Sequence, residues 1–93
     1  MLIAAAQIRL YAPWVHSLKE KRMEVNSLIA KTQNRFHVSI AEVDEQDTHQ
    51  TIVLGIACVS QTAALADGMI DRVIGWIEEN TEAQILGIQR EIR

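Results

Sequence analysis

Residues 36–60, FHVSIAEVDEQDTHQTIVLGIACVS, constrain the fold more than any other stretch of the chain. Two runs with period-two patterning, about 36–43 and 50–59, flank a polar, acidic turn at Asp44–His49, which predicts a β-hairpin. In the first run Phe36, Val38 and Ile40 share one face, and His37, Ser39, Ala41 and Val43 share the other. The first set is expected to point inward, because it holds the only phenylalanine and the larger aliphatics. The second run is apolar in both phases: Ile52, Leu54, Ile56 and Cys58 against Val53, Ala57 and Val59. A strand of that kind is central in its sheet, or has its second face covered by a partner. A lone hairpin is marginal in water, so the flanking sequence must supply elements that pack on it.

Those elements are legible. Residues 2–11, LIAAAQIRLY, alternate as a strand, with Leu2, Ala4, Ala6, Ile8 and Leu10 on one face and Ile3, Ala5, Gln7, Arg9 and Tyr11 on the other. Alanine argues for helix here, but the alternation and the following Pro13 argue for strand. Ser17 and Glu20 form a capping-box pair, with Glu20 expected to reach the N–H of Ser17. The helix they open carries an inward stripe of Leu18, Val25, Leu28, Ile29 and Thr32, bordered by Lys21 and Arg22, and should end near Asn34 or Arg35. A second helix is expected over about 62–79, capped by Ser60 or Thr62. Its broad apolar arc runs through Leu65, Ala66, Met69, Ile70, Val73, Ile74, Trp76 and Ile77, and Asn80 should close it in left-handed geometry. The run Ala83–Ile92 reads as a last strand with Leu86, Ile88 and Ile92 as its apolar contributors.

The order β-α-β-β-α-β, with right-handed crossovers, puts both helices on one side of a four-stranded antiparallel sheet. The expected fold is therefore α+β, a ferredoxin-like split-βαβ sandwich with strand order 4-1-3-2, in a single domain over residues 1–93. Strands one and three are then central, and the helix-free face carries Ile3, Ala5, Gln7 and Tyr11 beside one apolar face of strand three. A broad apolar patch of that kind commonly marks an interaction surface, so a symmetric homodimer is expected.

Bulk properties narrow the function classes. The chain has 93 residues, 48% of them hydrophobic, enough for one modest core. Nine basic residues against twelve acidic ones give a net charge of −3, which does not announce a general nucleic-acid binder or any DNA specificity. Cys58 is the only cysteine, which excludes an internal disulfide and a CxxC metal knuckle. No apolar run approaches the ~20 residues of a membrane span, and no basic n-region precedes Met1–Ala6 as in a signal peptide, so a cytoplasmic protein without membrane contact is expected.

No stretch carries a catalytic signature. There is no Gly-rich phosphate loop and no nucleophile elbow, Cys58 sits mid-strand among apolar neighbours, and neither His37 nor His49 has a paired base in sequence. An enzyme, a cofactor and a metal are not expected. The central strands offer only Tyr11 as an aromatic, which argues against base stacking on the sheet. Arg9, Lys19, Lys21, Arg22 and Arg35 are the candidate phosphate or RNA contacts, with His16 and the helix N-terminus nearby. Glu42, Asp44, Glu45, Asp47 and His49 mark a candidate acidic surface at the hairpin turn, without calcium-loop spacing.

Taken together, SLKEKR at 17–22, NRF at 34–36, VSIAEVD at 38–44, Gln46–Asp47 and the terminal QREI resemble the YlxP-like family, small bacterial proteins of unknown function, and the likeness runs nearly end to end. Its characteristic positions fall on Ser17, Leu18, Lys19, Glu20, Lys21, Arg22, Asn34, Arg35, Phe36, Ala41, Glu42, Asp44 and Asp47. The resemblance implies a compact ferredoxin-like domain and a place beside translation initiation and ribosome maturation, without catalytic residues to carry over. Met23 and Asn26 stand where relatives are more basic, and Thr48–Thr51 lacks the aromatic that often follows the acidic turn. The expected function is that of a non-enzymatic accessory protein touching ribosomal RNA or a ribosome-associated protein. The alternatives are a dimeric structural or regulatory module acting through the open sheet and, behind it, a small-ligand sensor resting on fold analogy alone.

Overall fold

A computed structural model describes all 93 residues. The elements are β1 (Leu2–Tyr11), α1 (Leu18–Arg35), β2 (Ser39–Asp44), β3 (Thr51–Ser60), α2 (Ala63–Asn80) and β4 (Gln84–Ile92). The strands form one antiparallel sheet in the order β2-β3-β1-β4, the expected ferredoxin-like arrangement with β1 and β3 central. Both helices cover one face. Ala4, Ala6, Ile8 and Leu10 of β1, and Ile52, Leu54, Ile56 and Cys58 of β3, form the sheet side of the core. Val25 and Leu28 of α1, with Ala66, Ile70, Val73, Ile74 and Ile77 of α2, close over them. No helix is long and apolar enough to cross a membrane.

The helix starts follow local chemistry. The Ser17 hydroxyl accepts the Glu20 N–H at 3.1 Å, while the Glu20 carboxylate takes the N–H of His16 at 3.3 Å, one residue earlier than the expected Ser17. Thr62 caps α2 by accepting the Leu65 N–H at 3.2 Å. At its end α2 stops without a left-handed residue: Asn80 stays helical and donates to the Trp76 carbonyl at 2.8 Å, and Thr81 is extended. The one non-glycine residue with positive φ is Glu45, in the hairpin turn.

Three further expectations are corrected. β2 begins at Ser39, because the Phe36 N–H still bonds the Thr32 carbonyl and the chain needs Phe36–Val38 to turn off the helix. Leu65 is exposed, since only one side of the first α2 turn meets the sheet. Leu86, Ile88 and Ile92 are exposed as well: Leu86 is the extra residue where the β1–β4 register shifts, and α2 lies over β1 and β3 and barely reaches the other two. What ties α2 to β4 is instead Arg90, whose guanidinium meets Asp71 and lies 3.4 Å from Asp67.

Two bulges shape the sheet. The β1–β4 register shifts between Arg9 and Leu10, and the β2–β3 register shifts between Glu42 and Asp44, leaving Val43 as the extra residue on the edge strand. Val43 then leans over Gly55, where an added Cβ would stand 2.7 Å from Val43 Cγ1. Glycine is required there by that close approach.

Candidate functional site

The basic group read from sequence does not stay together. On α1 the inward positions are Leu18, Lys21, Val25, Leu28 and Thr32, spaced three and four apart, so Lys21 stands in the stripe itself and not on its border. It is 1% exposed. Its Nζ lies 2.9 Å from Glu42 Oε2 and donates to the Glu45 carbonyl. Lys21 is therefore a structural cation that fastens α1 to the hairpin, and it is not available to phosphate. Arg9 alternates with the buried Ile8 and Leu10, so it projects from the helix-free face, on the opposite side of the sheet from Lys19 and Arg22. Arg35 sits at the far end of α1, 16 residues from Lys19 by number and about 24 Å along the axis, over the Phe36 ring at 5.8 Å. Only Lys19 and Arg22 remain as exposed neighbours at the start of α1.

The acidic turn divides in the same way. Glu42 continues the inward phase of Phe36, Val38 and Ile40, and its carboxylate, 17% exposed, meets Lys21 on the helix side. Asp44 Oδ1 accepts the Glu45 N–H at 2.8 Å, and Glu45 Oε2 accepts the Thr48 hydroxyl at 2.8 Å. These bonds hold the turn while Glu45 carries φ 58°. Asp47 and His49 stay exposed and line a polar hollow of ≈ 520 Å³ together with Tyr11 and His16. Gln50 closes its base by donating to the carbonyls of Pro13 and Val15 at 2.9 and 3.2 Å. No three His, Cys, Asp or Glu side chains converge anywhere in the molecule as a metal site would need. Cys58 faces the core with Sγ 4.0 Å from the Ala66 carbonyl, and burial pushes its thiol pKa up, away from a nucleophile's range.

The helix-free face presents side chains from all four strands. Cross-strand pairing places its side chains in rows, since directly opposed residues share a face. One row holds Ala41, Gly55, Gln7 and Gln89; the next, Ser39, Ala57, Ala5 and Glu91; and on the other side of the first, Asp44, Val53, Arg9 and Gly87. Val59 and Ile3 stand opposite each other beyond Ala57, and Tyr11 pairs Thr51 beyond Arg9. Small residues in the centre leave a shallow hollow of ≈ 400 Å³ over Ala5, Ala41, Gly55 and Ala57. Val43, 44% exposed, and Val59, 66% exposed, rise around it. A second hollow of ≈ 310 Å³ lies over Gly87, walled by Arg9, Gln7 and Gln89. The sequence placed Ile3, Ala5, Gln7 and Tyr11 here. Alternation also put Val43 on this side with Ser39 and Ala41; the bulge that leans it over Gly55 and brings Asp44 to the same face has no local signature beyond the glycine itself.

Comparison with known proteins gives the family and one structural likeness. A family model described as "Protein of unknown function (DUF503)" matches residues 3–90. The uncharacterised protein YlxP of Bacillus subtilis strain 168 is 38% identical over 68 residues, 73% of this chain and 74% of that protein. A de novo designed protein with a ferredoxin fold, solved by solution NMR, superposes with a TM-score of 0.62 over 100% of this chain and 86% of its own, at 19% identity. At that identity the designed protein speaks for the fold alone. The family match and the YlxP relationship each cover more than two thirds of the chain, which belongs to the DUF503, YlxP-like family.

Proposed function

We propose that the chain is a protein-contact module whose working surface is the helix-free face of the sheet. The observation that carries this reading is the face itself: the central strands place Ala5, Gly55 and Ala57 beneath a shallow hollow, with Val43, Val59 and Ile3 exposed around it. Its charges, Arg9 and Arg93 against Asp44 and Glu91, balance, so it offers no field for a phosphate backbone. Of the basic residues expected to form a phosphate site, Lys21 is buried in an ion pair and Arg9 and Arg35 lie elsewhere, which favours protein over RNA. The accessory role beside the translation machinery that the family resemblance implies is met by such a module through protein contact.

Photocrosslinking in cells tests the reading. A photoreactive residue in place of Ala57, on the open face, should give protein adducts, and one in place of Arg22, on the helix side, should not. Nuclease-sensitive adducts from position 22, with none from position 57, would contradict it.

A further inference from the structure

The three central rows of the open face place Arg9 and Glu91, of opposite charge, on the two sides of a neutral middle row. Gln7 and Gln89 occupy the middle row, Arg9 and Asp44 stand in the row on one side, and Glu91 and Ser39 stand in the row on the other. Positive lies opposite negative about a neutral centre along β1 and β4, and the glutamine amide at the centre is both donor and acceptor. A surface with that charge order is complementary to itself.

We propose that the open face is closed by a second copy of this chain, related by a two-fold axis that lies in the interface, crosses the strands and passes at the level of Gln7. The assignment rests on the reading of this face as a protein-contact surface, and adds its occupant and its geometry. Within the twist of two aligned sheets, the axis sets each strand antiparallel over its own copy. The row of Arg9 then faces the partner's row of Ala5 and Glu91. Glu91 of one copy descends over Gly87 of the other, where the hollow beside Arg9 has no side chain to block it. Asp44 faces a serine hydroxyl, and Ile3 faces Tyr11. Within its own chain Glu91 already meets Arg93, so its carboxylate is shared between two guanidinium groups in the assembly. Four strands about 4.8 Å apart and about nine residues long give a face of roughly 600 Å² per copy. The pair would bury about 1,200 Å², at the lower limit for a specific and reversible dimer.

The alternative occupant, an extended strand added at an edge, is less well served. β2 is six residues long and bulged at Val43, a device that blunts pairing. The β4 edge is longer but lacks any charge pattern of its own that selects a second β4.

Sedimentation equilibrium on the full chain, from low to high micromolar concentration, tests the geometry through charge exchange. The unaltered chain should dimerise reversibly. R9E and E91R should each lower the association constant about tenfold or more, and R9E/E91R should restore it, because the exchanged charges meet again across the axis. Circular dichroism on each variant reports that the fold is kept, as expected for exposed positions. A chain that stays monomeric throughout, or a double exchange no better than either single one, overturns the proposal. A57R separates the two levels. If it abolishes association while the charge exchange fails to rescue, the face is in use and only this geometry falls. If it leaves a dimer intact, the contact-face reading falls as well.

Discussion

Lys21 and Glu42 meet across the α1–β2 interface, Nζ 2.9 Å from Oε2, each at a position that its own element's periodicity turns inward. In a helix stripe spaced 18, 21, 25, 28, 32 and a strand phase of 36, 38, 40, 42, the two charged residues fall at the same place. There the two charges neutralise each other. Removing one partner of such a pair costs about 3–5 kcal/mol when it is fully buried. Glu42 is partly exposed, so K21M and E42L should each cost roughly 2–4 kcal/mol in urea unfolding, and K21M/E42L should recover most of the loss. A double change as damaging as the sum of the singles would show that the pair is not coupled.

Gly55 beneath Val43 gives a second prediction. Its missing side chain makes room for Val43 Cγ1, which an added Cβ would meet at 2.7 Å. G55A should destabilise by about 1–3 kcal/mol through overpacking, and V43A in the same chain should return most of it. Denaturant midpoints for the two single variants and the pair decide the point.

The cap at the start of α1 is worth less and is local. S17A removes the acceptor of the Glu20 N–H and should cost about 1 kcal/mol. Amide exchange should quicken over the first turn of α1 and leave β1 and β3 unchanged.

Cys58 sets the sign of an alkaline response. Burial raises its thiol pKa in the folded chain, so the unfolded chain gives up the proton first. Stability from this group is complete below the unfolded thiol's pKa of about 8.5 and declines as pH rises above it. C58A should flatten the stability profile in that alkaline window alone. Alkylation of the native chain should follow its opening, which is read from the dependence of the alkylation rate on denaturant.

The fold was legible because its signals agree: alternation in β1 and β3, the Ser17 cap, and the 3.6-residue arcs of the two helices all require the same topology. Side-chain roles were less so. Lys21 reads as a surface cation by residue type, and only its spacing from Val25 and Leu28 turns it inward. The SLKEKR run therefore suggests a basic patch that the helix divides between core and solvent. The apolar residues of β4 read as buried, yet α2 is too narrow to reach them, and coverage of that kind is set by tertiary geometry. The open face lay between these cases. Its membership followed from alternation, but its hollows depend on two bulges that local sequence does not specify.

The most direct measurement of the central claim is methyl NMR with a soluble paramagnetic relaxation agent, repeated at low and high chain concentration. If the helix-free face is closed by a second copy, the methyls of Ala5, Ala41, Ala57 and Val59 should lose access to the agent as concentration rises, while those of Leu65 and Met23 on the helix side keep theirs. Equal access at both concentrations for the first group, or loss confined to the second, would contradict it.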